Sequence, residues 1–406
     1  MRTADGARPD FPRERAAVTV TFAAHAVAAG TLGPWIPRLK ADAGLDEAGL
    51  GLALAGFAVG LVAGTRLAGP LLRRIGGRRV VRGGIPALAA TLALLSLAGG
   101  SASLTAAFAA FGIASGVLDV AMNTEAVAVE GRFGRRVMSA MHGTWSVSVL
   151  AGAAIASAGV AAGVPIEIHL SVIGALLVAA SFPALRWLPA PLDAGPTEGP
   201  APTGPSERSW SRRIVLLCLI AFASFLSEGV AIDWSAVYLR GSVGSGAAIA
   251  GLGVVAFSAG MAASRFAGDR LATRFGPARL VRAGASVAGI ALAVALALGG
   301  TAPTIAGFAL VGLGLGPVVP AAFSAAGAIA RPGGRTALGV VVTAGYLGSI
   351  LGPLAVGFIA DLENLRVALV VPVAMCAAAA LAAGAVGERR GPAGRNTAGD
   401  DGVRTR

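Results

Sequence analysis

The feature that most constrains this chain is the length of its uncharged segments. Residues 83–118 give 36 consecutive positions without Asp, Glu, Lys, Arg or His, and residues 283–330 give 48. A membrane-spanning helix needs about 20 apolar residues, so each segment has room for two helices joined by a tight turn. Hydrophobic residues make up 55% of the chain and charged residues 13%. This composition excludes soluble globular, disordered and disulfide-stapled proteins.

Apolar segments of this kind recur along the whole chain. Lipid offers no partner for unpaired backbone groups, so each segment is expected to be helical. The sequence therefore predicts an all-α membrane protein with twelve transmembrane helices in two pseudo-symmetric six-helix halves. The predicted spans are 16–36, 49–72, 80–98, 102–129, 137–160, 165–186, 213–239, 245–269, 279–299, 302–328, 336–360 and 365–386.

The middle of the chain interrupts this pattern. Residues 187–212 are rich in Pro, Gly and Ser and carry no apolar periodicity, which predicts a flexible cytoplasmic linker. The linker separates a first bundle, residues 16–186, from a second bundle, residues 213–386. Residues 1–15 and 387–406 are polar and are predicted to be cytoplasmic tails.

The net charge of +12 comes almost entirely from arginines in short loops. Basic residues concentrate in the cytoplasmic loops of membrane proteins. With a cytoplasmic N-terminus, the inner loops carry most of them and the outer loops carry only Arg38, Lys40, Arg240 and Arg366. We therefore predict a multi-pass protein of the inner (plasma) membrane with both termini cytoplasmic. Nucleic-acid binding is not expected, because it requires a basic patch on a polar domain.

An internal repeat supports two related halves. At an offset of 200 positions, six residues of the loop after the second helix meet identical residues in the second half: Arg74, Gly76, Arg79, Val81, Arg82 and Gly84 align with Arg274, Gly276, Arg279, Val281, Arg282 and Gly284. Parallel repeats about an axis along the membrane normal are typical of one large class of secondary transporter.

These residues resemble the major facilitator superfamily. The stretch from Gly69 to Arg79 is similar to the family's cytoplasmic loop signature, Gly-x-x-x-Asp-Arg-x-Gly-Arg-Arg, except that Arg73 and, in the second half, Thr273 replace its Asp. That Asp takes part in a cytoplasmic gate contact in the family, so the resemblance puts the contact in doubt here. The gate-motif positions implied are Gly69, Arg73, Arg74, Gly76, Arg78, Arg79, Gly268, Asp269, Arg274 and Gly276.

A narrower resemblance is to the fucose permease-like branch and its uncharacterised bacterial relatives. It rests on LDVAMNTE (118–125), VPAAFS (319–324) and the glycine-rich stretch from Gly345 to Asp361. In that branch a proton-carrying Glu occupies the position of Asp119. The resemblance therefore implies a proton-coupled transporter with Asp119 as the carrier.

Ionisable residues within spans are costly in lipid and mark functional sites by default. On the fourth helix, Ser115, Asp119 and Asn123 share one face at 100° per residue. A carboxyl buried among apolar groups can exchange a proton at physiological pH. We predict proton coupling by Asp119 and solute binding by Asn123. The alternative is a structural carboxylate paired with Arg66 or Arg265. Glu125 points away from Asp119 and is expected to pair with a neighbouring helix or the cytoplasmic surface.

On the seventh helix, Glu228 lies past the midplane and is predicted to be a second proton site or a solute contact. Asp233 is predicted to pair with Arg240. Trp234 and Tyr238 are candidate solute contacts, and an aromatic belt at the outer interface is the alternative.

Three further candidates lie in the first half. His25 is central on the first helix, and His142 stands near the inner end of the fifth helix, followed by Trp145. All three are candidate solute contacts. Each histidine could also relay protons or simply be a hydrogen-bonded packing residue.

The functional prediction is a secondary transporter with alternating access, coupling protons to symport of a small polar solute such as a sugar. A proton-antiporting exporter of drugs or metabolites is the first alternative, and a non-transporting membrane receptor or structural protein is the second. The sequence predicts no enzyme, cofactor or metal site, since no nucleophile-plus-base set, phosphate loop or metal spacing occurs. Its expected partners are the solute, protons and the lipid bilayer, with the protein acting as a monomer.

Overall fold

The computed structural model of the chain describes residues 10–135, 137–188, 212–329 and 335–387. Most of the predicted N-terminal tail (1–15), linker (187–212) and C-terminal tail (387–406) therefore lies outside the described residues. Every regular element in the described part is helical.

Twelve helical segments follow one another, as the sequence predicts. They are α1 (Phe11–Asp42, with a 3₁₀ turn at Gly33–Trp35), α2 (Glu47–Ile75), α3 (Gly77–Leu95), α4 (Ser101–Phe133), α5 (Met138–Ala161), α6 (Ile166–Leu185), α7 (Arg212–Val237, continued by a π turn at Tyr238–Ser242), α8 (Ala247–Ala250 and Leu252–Phe275), α9 (Pro277–Leu298), α10 (Thr301–Leu315 and Val318–Ile329), α11 (Arg335–Leu362) and α12 (Leu365–Ala368, Val370–Ala382 and a 3₁₀ turn at Ala383–Val386). Among the described residues, eleven of these segments are long and apolar enough to cross a membrane; α3 carries three arginines in its first two turns.

The first helix begins five residues earlier than the sequence pattern suggests. The Asp10 side chain accepts the backbone N–H of Arg13 at 3.2 Å, and Pro12 occupies the first turn. An Asp cap followed by Pro is a strong helix start, because both suit the unpaired N–H groups of that turn. The arginines of this region are therefore part of α1.

Glycines bring helix backbones into direct contact within each half. Along α2, Gly56, Gly60 and Gly64 face backbone carbonyls of α4, and a methyl group at any of them would overlap the facing oxygen. In the second half, Gly260 of α8 faces the Ala309 carbonyl of α10 in the same way. Small residues allow this close approach in membranes, where packing rather than the hydrophobic effect joins helices.

The repeat seen in the loop extends to these contacts. Gly60 meets the Ala109 carbonyl, and Gly260 meets the Ala309 carbonyl, again with an offset of 200. The junctions also match: Gly76, between α2 and α3, has φ 80° and ψ 151°, and Gly276, between α8 and α9, has φ 83° and ψ 147°. Only glycine adopts this region without strain. Both halves therefore share one internal architecture.

The halves meet along two seams, where α2 packs on α11 and α5 packs on α8. In the first seam, a methyl group at Gly51 would lie 2.6 Å from the Pro353 carbonyl oxygen, and one at Gly357 would lie 2.6 Å from the Glu47 carbonyl oxygen. Both contacts are near the ends of α2 and α11 that lie away from the arginine-rich loops. We call the side with those loops the basic face. The structure is therefore closed at the face opposite the basic face.

Candidate functional site

The polar side chains of α4 lie on one face, as predicted. Asn123 Nδ2 donates to the Asp119 carbonyl oxygen at 2.8 Å and lies 3.4 Å from Asp119 Oδ1. Both side chains are partly exposed, whereas Ser115, one turn earlier, is buried. Asp119 and Asn123 therefore reach the space between helices, and Ser115 anchors the same face to the interior.

His25 connects three helices of the first half. Its Nε2 lies 2.7 Å from Ser115 Oγ on α4, and its Nδ1 accepts the indole N–H of Trp145 on α5 at 3.1 Å. Because an indole nitrogen only donates, Nδ1 carries no proton and Nε2–H donates to Ser115. Both ring nitrogens are thus occupied. This arrangement favours the packing role for His25 over proton relay.

Asp119 faces the seam between the halves. Its carboxylate lies within electrostatic range of His25 and His142 in the first half and of Tyr346 of α11 in the second. His142 is exposed, and its ring meets the Phe22 ring edge-on at 5.7 Å. Tyr346 was not among the residues singled out from sequence, because its apolar segment carries no sign of the helix it faces.

Tyr346 belongs to an aromatic cluster that the sequence analysis also missed. Phe225 of α7 stacks on Phe323 of α10, with ring centroids 6.1 Å apart, and meets Tyr346 edge-on at 6.0 Å. The three rings come from three helices of the second half. Tyr346 is therefore the member of this cluster that lies within electrostatic range of Asp119 on α4.

Arg265 of α8 bridges the second seam. Its Nη1 donates to Ser146 Oγ of α5 at 3.2 Å, and its Nη2 lies 3.4 Å from Glu228 Oε1 of α7. The side chain of Asp269, which stands four residues after Arg265 and is spaced for an ion pair with it, lies outside the described ones. Arg66, the matching residue of the first half, is exposed and forms no ion pair among the described residues. The alternative pairing of Asp119 with either arginine is thus not formed in the part of the chain that the structure describes.

The end of α7 away from the basic face differs from the sequence prediction. Arg240 lies in the π turn and donates to the Ser245 carbonyl at 3.1 Å, so the predicted Asp233–Arg240 ion pair does not form among the described residues. The extra residue in a π turn rotates Arg240 away from the face that an uninterrupted helix would give it. Trp234 is fully buried and Tyr238 nearly so. In this conformation neither side chain reaches a solute or forms a lipid-facing belt.

At the basic face, charged residues pack within the first half. Arg132 Nη1 lies 2.8 Å from Glu14 Oε1, with both side chains largely buried. The Glu125 carboxylate packs against Gly77 at the start of α3, within reach of the charges of Arg78 and Arg132. Glu125 therefore contacts a neighbouring helix at the basic face.

Gate-motif residues divide between exposed arginines and backbone contacts. Arg73, Arg74 and Arg79 are exposed, while Arg78 donates to the Arg186 carbonyl oxygen. In the second half, the Arg274 guanidinium lies over the Phe275 ring. The remaining motif positions are Gly69, Gly268, the junction glycines Gly76 and Gly276, and Asp269, whose side chain lies outside the described ones.

This arrangement defines a multi-pass helical transporter: two repeated six-helix halves enclose a polar site, and the chain is closed toward one face. The family model for the Major Facilitator Superfamily matches residues 18–241 and 216–405. The chain belongs to the major facilitator superfamily, and is a membrane transporter rather than an enzyme.

Individual proteins agree with this assignment. An uncharacterized MFS-type transporter of Yersinia pestis is 36% identical over 339 residues, covering 82% of this chain and 86% of its own. The crystal structure of the nucleoside transporter NupG has a TM-score of 0.72 at 13% identity, covering 92% of this chain and 99% of its own. That of the E. coli fucose:proton symporter FucP has a TM-score of 0.61 at 16% identity, covering 94% and 100%. At such identities these two structures establish the fold alone.

Proposed function

We propose that this chain is a proton-coupled symporter of a small polar solute such as a neutral sugar. The observation that carries the proposal is the placement of Asp119. Its carboxylate and the Asn123 amide share one face of α4, and Tyr346 of the opposite half lies within electrostatic range of that carboxylate. An ionisable group at a seam between moving halves is where proton binding and solute binding influence each other.

The two sides of the site suit a sugar. Asp119 supplies a hydrogen-bond acceptor for hydroxyl groups, and the Asn123 amide supplies both a donor and an acceptor. The rings of Phe225, Phe323 and Tyr346 supply an apolar surface. Binding sites of this kind combine apolar walls with a few placed polar groups. Two proteins of similar fold are a fucose:proton symporter and a nucleoside transporter, and fucose and nucleosides are both hydroxyl-rich.

In the proposed cycle, Asp119 takes up a proton while the site is open toward the face opposite the basic face. The solute then binds beside Asn123 and the halves rock to the conformation described here, in which Gly51 and Gly357 close that face. Solute and the Asp119 proton then leave toward the basic face. Glu228 is proposed as a second proton site: it takes up its proton at the opposite face together with Asp119 and releases it toward the basic face. Its carboxylate is then free to pair with Arg265, which also holds Ser146, as in the conformation described here, and the empty protein returns. By its arginine distribution the basic face is cytoplasmic, which makes the chain an importer of the inner membrane.

The test begins with thermal unfolding of the detergent-purified protein. L-Fucose, D-xylose, myo-inositol, uridine and tetraphenylphosphonium are each added at pH 5.5 and pH 7.5. A ligand at 100 times its dissociation constant adds about 2.7 kcal/mol of stability. We expect a hydroxyl-rich compound to stabilise the protein more at pH 5.5, and Asp119→Asn to abolish that pH difference. Asp361→Asn, an exposed carboxylate at the far end of α11, is the matched control and should keep it.

Transport in proteoliposomes then separates coupling from binding. Asp119→Asn should lose uptake driven by a proton gradient and keep solute counterflow, because exchange needs no net proton movement. Gradient-driven uptake by Asp119→Asn equal to that of the wild type would refute the proposal. Stabilisation by tetraphenylphosphonium alone, weakened at pH 5.5, would instead support the exporter, since the aromatic cluster beside an acid also suits a lipophilic cation.

A further inference from the structure

An open groove lies on the membrane-facing surface of the first half, away from the seam. It has a volume of about 700 Å³ and is formed by one side each of α3 and α6, including Ala89, Ala90, Ala93, Gly174, Ala175 and Phe182. Its lining is almost entirely apolar and its side chains are small. Phe182, at one end, is 76% exposed. Only lipid or another membrane-embedded molecule can fill such a surface.

The end of the groove nearest the basic face is bordered by arginines. Along α3, Arg82 lies seven residues before Ala89 and Arg79 eleven before Ala90, spacings that place each on the same helix face as its partner. Arg82 Nε and Nη2 both donate to the Leu185 carbonyl at 3.2 Å, one turn beyond Phe182 on α6. The Arg82 guanidinium therefore stands at the groove's end, and Arg79 lies about one helical turn further toward the basic face.

Two exposed arginines at this end enter no ion pair in the described part of the chain: Arg79 of α3 and Arg186, the residue that follows α6. Asp10, at the start of the neighbouring α1, is engaged by Arg13, whose guanidinium also lies over the Trp187 ring at 4.3 Å. A tryptophan beside exposed arginines is typical of the membrane–water interface, where lipid head groups lie.

The dimensions fit one leaflet. From Ser171 to Phe182 the groove follows eleven residues of α6, about 16 Å along the helix axis. The hydrocarbon core of a bilayer is about 30 Å thick, so the groove matches the acyl region of one leaflet. Basic residues at the end of an interhelical groove attract anionic lipids.

We propose that this groove binds an anionic phospholipid, with one acyl chain between α3 and α6 and the phosphate beside Arg79, Arg82 and Arg186. The site is separate from the solute site and does not depend on the transport proposal. Its selectivity comes from charge, because the groove itself accepts any acyl chain.

The test uses full-length, delipidated protein in detergent. We titrate three compounds and follow the unfolding midpoint. They are phosphatidylglycerol and phosphatidylcholine with identical acyl chains, and glycerol phosphate, which has no acyl chain. We expect phosphatidylglycerol to raise the midpoint, phosphatidylcholine to raise it clearly less, and glycerol phosphate to leave it unchanged. The decisive quantity is the difference between the two lipids for each variant, because this removes changes in basal stability.

Two variants distinguish the contribution of arginine charge to lipid binding from that of the apolar groove. Ala90→Phe fills the groove and keeps every arginine, and Arg79→Gln removes an exposed charge that makes no described hydrogen bond. Both should lose most of the difference between the lipids. The controls are Ile290→Phe, on the exposed surface of α9, and Arg279→Gln, at the repeat position of Arg79; both should retain it. Equal midpoint shifts for both lipids, or a difference that survives in Ala90→Phe and Arg79→Gln, would overturn the proposal.

Discussion

Arg265 and Ser146 join the two halves of the molecule: Nη1 of Arg265 on α8 donates a hydrogen bond to Oγ of Ser146 on α5 at 3.2 Å. The same guanidinium holds Glu228 of its own half. It therefore links the seam between the halves to a titratable carboxylate within the membrane.

This link predicts an energetic coupling between Arg265 and Ser146. Hydrogen bonds to charged groups contribute about 1.5–3 kcal/mol, and partial exposure places this one toward the lower end. A double-mutant cycle with Ser146→Ala and Arg265→Gln, measured by unfolding in detergent, should give a coupling energy of about 1.5 kcal/mol. Ser148→Ala, two residues along α5, should be additive with Arg265→Gln. Additivity at Ser146 as well would show that the contact carries no energy.

The hydrogen bond from Trp145 to His25 gives a second prediction. Trp145→Phe keeps the ring but leaves Nδ1 of a buried histidine without a donor. An unpaired buried polar group costs about 1–3 kcal/mol, so the free energy of unfolding should fall by that amount. Thermal unfolding of Trp145→Phe, with Trp187→Phe as the control, measures the loss.

The same histidine permits a test of proton relay. If His25 only positions Trp145, the pH profile of transport in His25→Asn should keep its shape while the maximal rate falls. A shifted profile would return His25 to the proton pathway.

Contacts between helix backbones predict matched effects in the two halves. Gly60→Ala and Gly260→Ala each place a methyl group against a facing carbonyl, at Ala109 and Ala309. Overpacking of this kind costs about 1–3 kcal/mol. Both variants should unfold at lower temperature by similar amounts. Gly83→Ala, with open space around it on α3, should instead stabilise slightly because alanine favours helices.

Closure of the face opposite the basic face depends on Gly51. In Gly51→Val the side chain would meet the Pro353 carbonyl, so the conformation described here should become unfavourable. We expect loss of transport with retained folding. In a background lacking Cys218 and Cys376, Asn123→Cys should react with a membrane-impermeant maleimide added at the face opposite the basic face. The reaction should be faster when Gly51→Val is also present than when Gly51 is intact. Gly99→Val, in open space, is the control, and unchanged labelling in Gly51→Val would contradict the gating role.

Much of the fold is readable from sequence because its signals are local. A span of about 20 apolar residues defines a helix in lipid whatever surrounds it. Gly76 and Gly276 repeat because the junction geometry admits only glycine. The sequence pattern predicts a late start for α1, because arginines near the N-terminus resemble a polar tail, whereas Asp10 and Pro12 begin the helix earlier.

The candidate site was less readable because its geometry joins distant helices. Asp119, Asn123 and Ser115 follow from helical periodicity on one element. Tyr346, Phe225 and Phe323 do not, because an aromatic residue in an apolar span shows nothing of the neighbour it meets. The predicted Asp233–Arg240 pair failed for a local reason: the π turn at Tyr238–Ser242 breaks the periodicity on which the prediction depended.

The glycine contacts have a mechanical consequence. Where Gly60 and Gly260 press backbone against backbone, no side chain stands between the helices to bend or change rotamer. Each half is consequently stiff in the direction across α2–α4 and α8–α10. Each half should therefore move as a rigid body when a solute displaces one of its helices. The side chains along the two seams then accommodate the change in position between the halves.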